Sequence, residues 1–177
     1  MKEEILKIID AMEGTLLGIG IEDETMLEKI ENNDKINLCY ILSNGGKEKN
    51  KKFKLFKKGR NKKVNIKKLK KYFNKNSIDN VLCDYRVVKR FVRSFIAGSI
   101  YVNKEKLYIY GDIKDVEKLK EKYEKYTKEI KVIKNGKSFL LIINNENTKA
   151  NIFKDLLNKI SFLFNDGLDY ITDLLAN

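Results

Sequence analysis

Apolar residues in this chain follow two kinds of pattern, short continuous runs and positions that recur every three or four residues. Continuous runs bounded by turn residues are typical of buried strands, and the spaced positions are typical of amphipathic helices. The predicted strands are 15–21, 36–42, 64–66, 78–83, 106–110, 131–134 and 138–144, and the predicted helices are 1–13, 22–32, 67–73, 87–96, 116–130 and 148–175. Strands alternating with helices predict an α/β fold with a doubly wound, mostly parallel sheet and helices on both faces.

The last two predicted strands depart from this alternation. They flank Asn135 and Gly136, and an Asn-Gly pair between two strands is a strong signal for a β-hairpin. The sheet is therefore predicted to contain a late antiparallel hairpin strand.

The helix patterns also assign side chains to the core or the surface. In the helix at 67–73, Leu69, Tyr72 and Phe73 are expected to face inward. In the next helix, Arg90 and Arg93 are expected to face outward.

The net charge of +12 is concentrated in one segment. The stretch 47–71 has 14 basic residues and one acid, whereas the rest of the chain has 23 basic and 24 acidic residues. The sequence therefore predicts one near-neutral domain over 1–177 with a basic insert at 47–71. Lysine dominates, since arginine occurs only at positions 60, 86, 90 and 93, and such dominance is also typical of AT-rich codon usage.

The insert is a candidate contact for nucleic acid or another polyanion. Aromatic residues alternate with lysine there, as in surfaces that track phosphates and stack bases. The lysines proposed for this contact are Lys57, Lys58, Lys62 and Lys63. Arg86, Arg90 and Arg93 could extend the surface from the neighbouring helix; the alternative is a solvated loop and helix face.

Composition excludes several classes of site. With no histidine, the chain has no Ser-His-Asp triad, and nothing supports a metal site. Cys39 and Cys83 lie in apolar runs without CxxC spacing, so buried thiols in a reducing cytoplasm are expected. The sequence shows neither a secretory signal nor an apolar run of membrane-spanning length, so the expected location is cytoplasmic, away from membranes.

The first strand runs into a glycine-containing turn, Leu16-Leu-Gly-Ile-Gly-Ile-Glu-Asp23, and the strand at 78–83 ends in Asp84-Tyr85. With the late hairpin, this layout resembles the class I S-adenosylmethionine-dependent methyltransferase fold over roughly residues 1–144. The resemblance implies that S-adenosylmethionine approaches the backbone at Gly18 and Gly20. It implies further that Asp23 or Ser43 binds the ribose.

The resemblance also implies a role for the residues after the 78–83 strand. Asp84 stands where amino-methylating members have Asp or Asn before Pro-Pro-aromatic, so it would accept a hydrogen bond from a substrate amine, with Tyr85 stacking. Both prolines are absent here, Gly18 stands where the family has an acid, and Ser43 follows the second strand where the family has its ribose-binding acid. Each residue also has a structural interpretation: packing for Gly18, Gly20 and Tyr85, and helix capping for Asp84.

These observations leave three functions open. The first is a non-catalytic binding or assembly module that kept the fold and lost the cofactor. The second is an active S-adenosylmethionine-dependent methyltransferase on a small molecule or nucleic acid, which is the activity expected if the chain is an enzyme. The third is an RNA- or DNA-binding protein. The Phe- and Leu-rich helix at 148–175 is in addition a candidate homo-oligomer interface.

Overall fold

The computed structural model describes residues 1–42, 53–55, 69–127 and 129–145. They belong to one compact unit, Met1–Asn147. The predicted strand at 64–66 and the predicted helix at 148–175 lie outside the described residues. No helix within the described ranges is long and apolar enough to cross a membrane.

Helices and strands alternate through most of this unit. The helices are α1 (Lys2–Ala11), α2 (Glu24–Asn32), α3 (Leu69–Tyr72), α4 (Tyr85–Val88), α5 (Val92–Val102) and α6 (Val116–Glu124). The strands are β1 (Gly14–Ile19), β2 (Ile36–Leu42), β3 (Phe53–Leu55), β4 (Ile78–Asp84), β5 (Asn103–Asp112), β6 (Ile130–Asn135) and β7 (Ser138–Asn144). Short 3₁₀ turns, Lys89–Phe91 and Ile113–Asp115, precede α5 and α6.

The described strands form one sheet in the order β3-β2-β1-β4-β5-β7-β6. The first five strands in this order are parallel to one another, and β7 is antiparallel to both β5 and β6. The order reverses at β1, which pairs with β2 on one side and β4 on the other. In such sheets ligands bind beyond the carboxyl ends of the strands at this reversal, so the ends of β1 and β4 define the candidate site.

Alternate residues of each strand reach two separate cores, one on each face of the sheet. From β1, Leu16 packs with α1 and α2, whereas Leu17 packs with α3, α4, α5 and α6. The helices contribute fully buried side chains to these cores, such as Ile9 on α1 and Phe95 on α5. The predicted doubly wound, mostly parallel sheet with a late antiparallel strand is confirmed.

Several details differ from the sequence predictions. Tyr72 was expected to face inward but is 50% exposed, because α3 is a single turn that buries Leu69 and Phe73. Helix α6 ends at Glu124 rather than at 130. The hairpin turn is Gly136-Lys137, since Asn135 still pairs with Ser138 at the end of β6. Gly136 has a positive φ of 56°, which favours glycine at the first turn position.

Both cysteines are buried free thiols. Burial raises the pKa of Cys39 to about 12 and raises that of Cys83 well above its ordinary value. Both thiols are therefore protonated near neutral pH and poorly nucleophilic.

Candidate functional site

The turn after β1 meets the end of β2 and the start of α4. Gly20 has a φ of +71°, and its amide donates a hydrogen bond to the Leu42 carbonyl at 3.0 Å. A Cβ placed on Gly20 would overlap Cγ2 of Val87 and would lie 3.4 Å from Cβ of Asp84. The structure thus brings Gly20 and Asp84 together, with the Val87 side chain against the glycine.

Gly18 lies inside β1, where its register partner on β2 is Ile41. A Cβ on Gly18 would lie 2.6 Å from Cδ1 of Ile41 and 3.1 Å from Cγ1 of Ile21. Two isoleucine side chains therefore fill the space beside the Gly18 backbone, and a larger residue here would need the end of Ile41 to move.

Asp23 is the N-cap of α2. Its carboxylate accepts a hydrogen bond from the Met26 amide at 3.1 Å and pairs with Lys2 Nζ at 2.9 Å. The hydrogen bond from Lys2 is the main cause that lowers the pKa of Asp23, although burial opposes it. The carboxylate is thus engaged in holding the start of α2.

Asp84 is the last residue of β4 and is 2% exposed. Its carboxylate caps α4 by accepting from the Arg86 amide at 2.9 Å. The Arg86 guanidinium also donates from Nε to both carboxylate oxygens, at 3.1 and 3.0 Å, and from Nη2 to Oδ2 at 2.5 Å. This hydrogen bonding raises the pKa of Arg86. The buried carboxylate is therefore neutralised by a residue of its own helix.

Tyr85 points away from Asp84 and into the core. Its ring is 6% exposed and packs edge-to-face on Phe139, with ring centroids 6.2 Å apart. Burial raises the pKa of its phenol.

A cleft of about 400 Å³ lies beyond the carboxyl ends of β4 and β5. It is lined by Met1, Asp84, Arg86, Tyr110, Gly111, Asp112, Lys137 and Ser138. Among the residues predicted for a cofactor or substrate within the described ranges, only Asp84 lines this cleft; Arg86, predicted for the polyanion surface, lines it too. Burial raises the pKa of Tyr110, so its phenol keeps its proton and can donate a hydrogen bond into the cleft.

Sequence reasoning missed the residues that β5 and the hairpin contribute to this cleft. A usable signal was the Gly111-Asp112 pair at the end of a predicted strand, because the carboxyl ends of neighbouring parallel strands share one edge. The remaining predicted residues, Ser43, Lys57, Lys58, Lys62 and Lys63, lie outside the described residues.

No protein-family model and no curated protein matches the sequence. Solved structures do match the fold. An O-methyltransferase family protein from Burkholderia thailandensis gives a TM-score of 0.57 at 11% identity, over 84% of this chain and 57% of that protein. Spermidine synthase from Thermotoga maritima gives a TM-score of 0.58 at 13% identity, over 82% of this chain and 59% of that protein. A protein from Methanococcus maripaludis gives a TM-score of 0.61 at 12% identity, over 84% of both chains. That protein is named as a candidate S-adenosyl-L-methionine-dependent methyltransferase.

The fold is that of the class I methyltransferases. The chain spans less than two thirds of the Burkholderia and Thermotoga proteins. Spermidine synthase is among the structures that share this methyltransferase-like fold, so the fold alone does not fix the reaction.

The methyltransferase-like fold implies S-adenosylmethionine as a ligand, and the described residues fit it poorly. Val87 covers the backbone of Gly20, and Ile41 and Ile21 fill the space at Gly18. The Gly20 amide is already bonded to Leu42. These contacts occupy the backbone surface that the resemblance assigns to the cofactor.

Proposed function

We propose that this chain is a non-catalytic binding module that has kept the methyltransferase-like fold without a working S-adenosylmethionine site. The observation that carries the proposal is the contact between Val87 and Gly20. A valine side chain takes up the space beside the one turn glycine that matches the family pattern.

Two further arrangements support the proposal. Gly18 replaces the acid expected at the end of the first strand, and its surroundings are apolar. Asp84, the match to the residue that contacts a substrate amine, is neutralised by Arg86. A substrate amine would have to displace a guanidinium that makes three side-chain hydrogen bonds to the same carboxylate.

The cleft provides the module with a place for a small polar ligand. Arg86 and Lys137 supply cationic groups at its walls, and Asp112 supplies an anionic one. Arg86 is 81% exposed, so its outer side is open to a ligand while its inner side holds Asp84. The cleft can therefore bind a ligand without exposing the buried carboxylate.

Calorimetric titration with S-adenosylmethionine and S-adenosylhomocysteine tests the proposal. We expect no binding heat and no rise in melting temperature at millimolar ligand. An active methyltransferase predicts the opposite, since ligand at about 100 times its Kd stabilises the folded state by about 2.7 kcal/mol. A saturable heat with either compound would contradict the proposal and favour the methyltransferase alternative.

A further inference from the structure

The two helical layers beside the sheet differ in charge. Helix α6, which lies in the same layer as α3, α4 and α5, carries three basic and three acidic side chains and adds no net charge. Residues 1–34, which include α1 and α2, carry three basic and ten acidic side chains. Residues 69–102, which include α3, α4 and α5, carry seven basic and two acidic side chains. Both acids are already paired, Asp79 with Lys104 at 3.4 Å and Asp84 with Arg86. The excess positive charge of this second layer is thus on one face of the molecule.

Arginine is concentrated in the same layer. The chain has four arginines among its 37 basic residues, and three of them are Arg86, Arg90 and Arg93. All three are exposed, whereas Val88, Val92 and Phe95 are buried at the same four- and three-residue spacing. Arg86 lies in α4, Arg90 in the 3₁₀ turn Lys89–Phe91 and Arg93 in the first turn of α5. These three exposed side chains are called the arginine stripe.

The stripe is available for a ligand. Within the described part of the chain, Arg90 and Arg93 have no ion-pair partner, while Arg86 holds Asp84 with one edge of its guanidinium. A guanidinium presents a planar fork of donors that matches a phosphate group, which a lysine ammonium does not. In a lysine-rich chain, three exposed arginines on one stripe point to a phosphate-bearing partner.

Helix α3 extends the basic surface beside α5. Leu69 packs against Gly98, and Lys70 Nζ lies 4.7 Å from the centroid of the Tyr101 ring. This packing places the exposed Lys71 and the half-exposed Tyr72 next to the arginine-bearing helix.

We propose that the outer side of α3, α4 and α5 binds the backbone of single-stranded nucleic acid. Arg90 and Arg93 contact its phosphates. A membrane partner fits less well because surface-binding helices need an apolar face. The described residues expose only Tyr72 and Val87 as large hydrophobic side chains.

Fluorescence anisotropy with labelled single-stranded RNA of about 20 nucleotides tests this surface in the full chain. Replacing both arginines (Arg90→Gln with Arg93→Gln) is expected to weaken binding about tenfold or more at low salt. The slope of log K against log salt should become shallower by about 1.4, because each lost single-strand phosphate contact removes about 0.7. Both side chains are exposed, so the melting temperature should stay unchanged.

The matched control removes two exposed lysines of the α6 region (Lys118→Gln with Lys125→Gln) and should bind within about twofold of wild type. A further variant, Arg90→Lys with Arg93→Lys, keeps the charge but loses the guanidinium forks and should bind with intermediate affinity. Three results would overturn the proposal: unchanged RNA affinity in the double Gln variant, an equal loss in the α6 control, or binding to phosphatidylserine vesicles without binding to RNA.

Discussion

At the scale of single residues, Gly20 decides what the candidate site can hold. Its positive φ and its contact with Val87 each disfavour a Cβ at this position. The sequence predicted a turn at Gly20, but it could not predict that Val87 would lie there. That valine comes from a helix more than 60 residues away in the chain, and only the parallel pairing of β1 with β4 brings the two together.

Replacing Gly20 with alanine tests this contact. We expect Gly20→Ala to lower the free energy of unfolding by about 2–4 kcal/mol, from backbone strain and overlap with Val87. Gly136→Ala is the matched control, because Gly136 also has a positive φ but has nothing within 4 Å of an added Cβ. It should cost about 1–2 kcal/mol. In urea unfolding, Val87→Ala should restore part of the stability lost in Gly20→Ala; equal costs for the two glycines would contradict the packing described here.

Because the Cys39 thiol is buried, we expect the free energy of unfolding to depend on pH in the alkaline range. The thiol is protonated in both states below about pH 9, but above that the unfolded thiol ionises while the folded one keeps its proton up to about pH 12. The free energy of unfolding should therefore fall as pH rises, by about 1.4 kcal/mol per pH unit from this thiol. Urea unfolding of Cys39→Ala under reducing conditions should show a shallower decline above pH 9. An identical slope in wild type and variant would show that Cys39 ionises as readily when folded.

At the scale of elements, apolar runs predicted the bounds of some strands but not of others. Strand β5 runs from Asn103 to Asp112, beyond the predicted 106–110 at both ends. The bounds of β2 and β7 match the prediction residue for residue. Strand β3 was missed because three residues within a lysine-rich segment give no apolar run. Helix α6 was predicted too long because Tyr126 continues its apolar spacing after the helix has ended.

Substitutions at the start of α2 are expected to change the stability of the protein. Asp23 caps the helix and pairs with Lys2, so Asp23→Ala should lower the free energy of unfolding by about 1 kcal/mol. Asp23→Asn keeps the cap and loses only an exposed ion pair, so it should cost less than about 0.5 kcal/mol. Chemical denaturation of the two variants distinguishes capping from charge; equal losses would assign the effect to the ion pair.

At the scale of the whole molecule, the net charge of +12 describes neither side of the sheet. The excess of positive charge lies at 47–71, and the rest of the chain is close to neutral. The fold divides that remainder, because the acidic segment 1–34 and the segment 72–102, which has five basic and two acidic side chains, supply helices to opposite faces. Linear counting could not reveal this division, since it depends on which helix crosses to which face.

The arrangement of the strands in the whole sheet explains why the candidate site was only partly predictable. The carboxyl ends of parallel strands share one edge, which explains why Asp84 lies near Gly20 in the structure. The cleft, however, combines β4 and β5 with the hairpin, whose residues are distant in sequence. The pairing of Asp84 with Arg86 depends on a side-chain conformation that no spacing rule specifies.

On the interpretation given above, the side chain of Val87 occupies the cofactor's place at Gly20. The most direct measurement is the backbone amide NMR spectrum during titration with S-adenosylhomocysteine, read at Gly18, Gly20 and Asp84. We predict that these three amides keep their chemical shifts up to millimolar ligand. Saturable shifts at Gly20 and Asp84 would contradict the claim, because they would show that the ligand displaces Val87 from the turn.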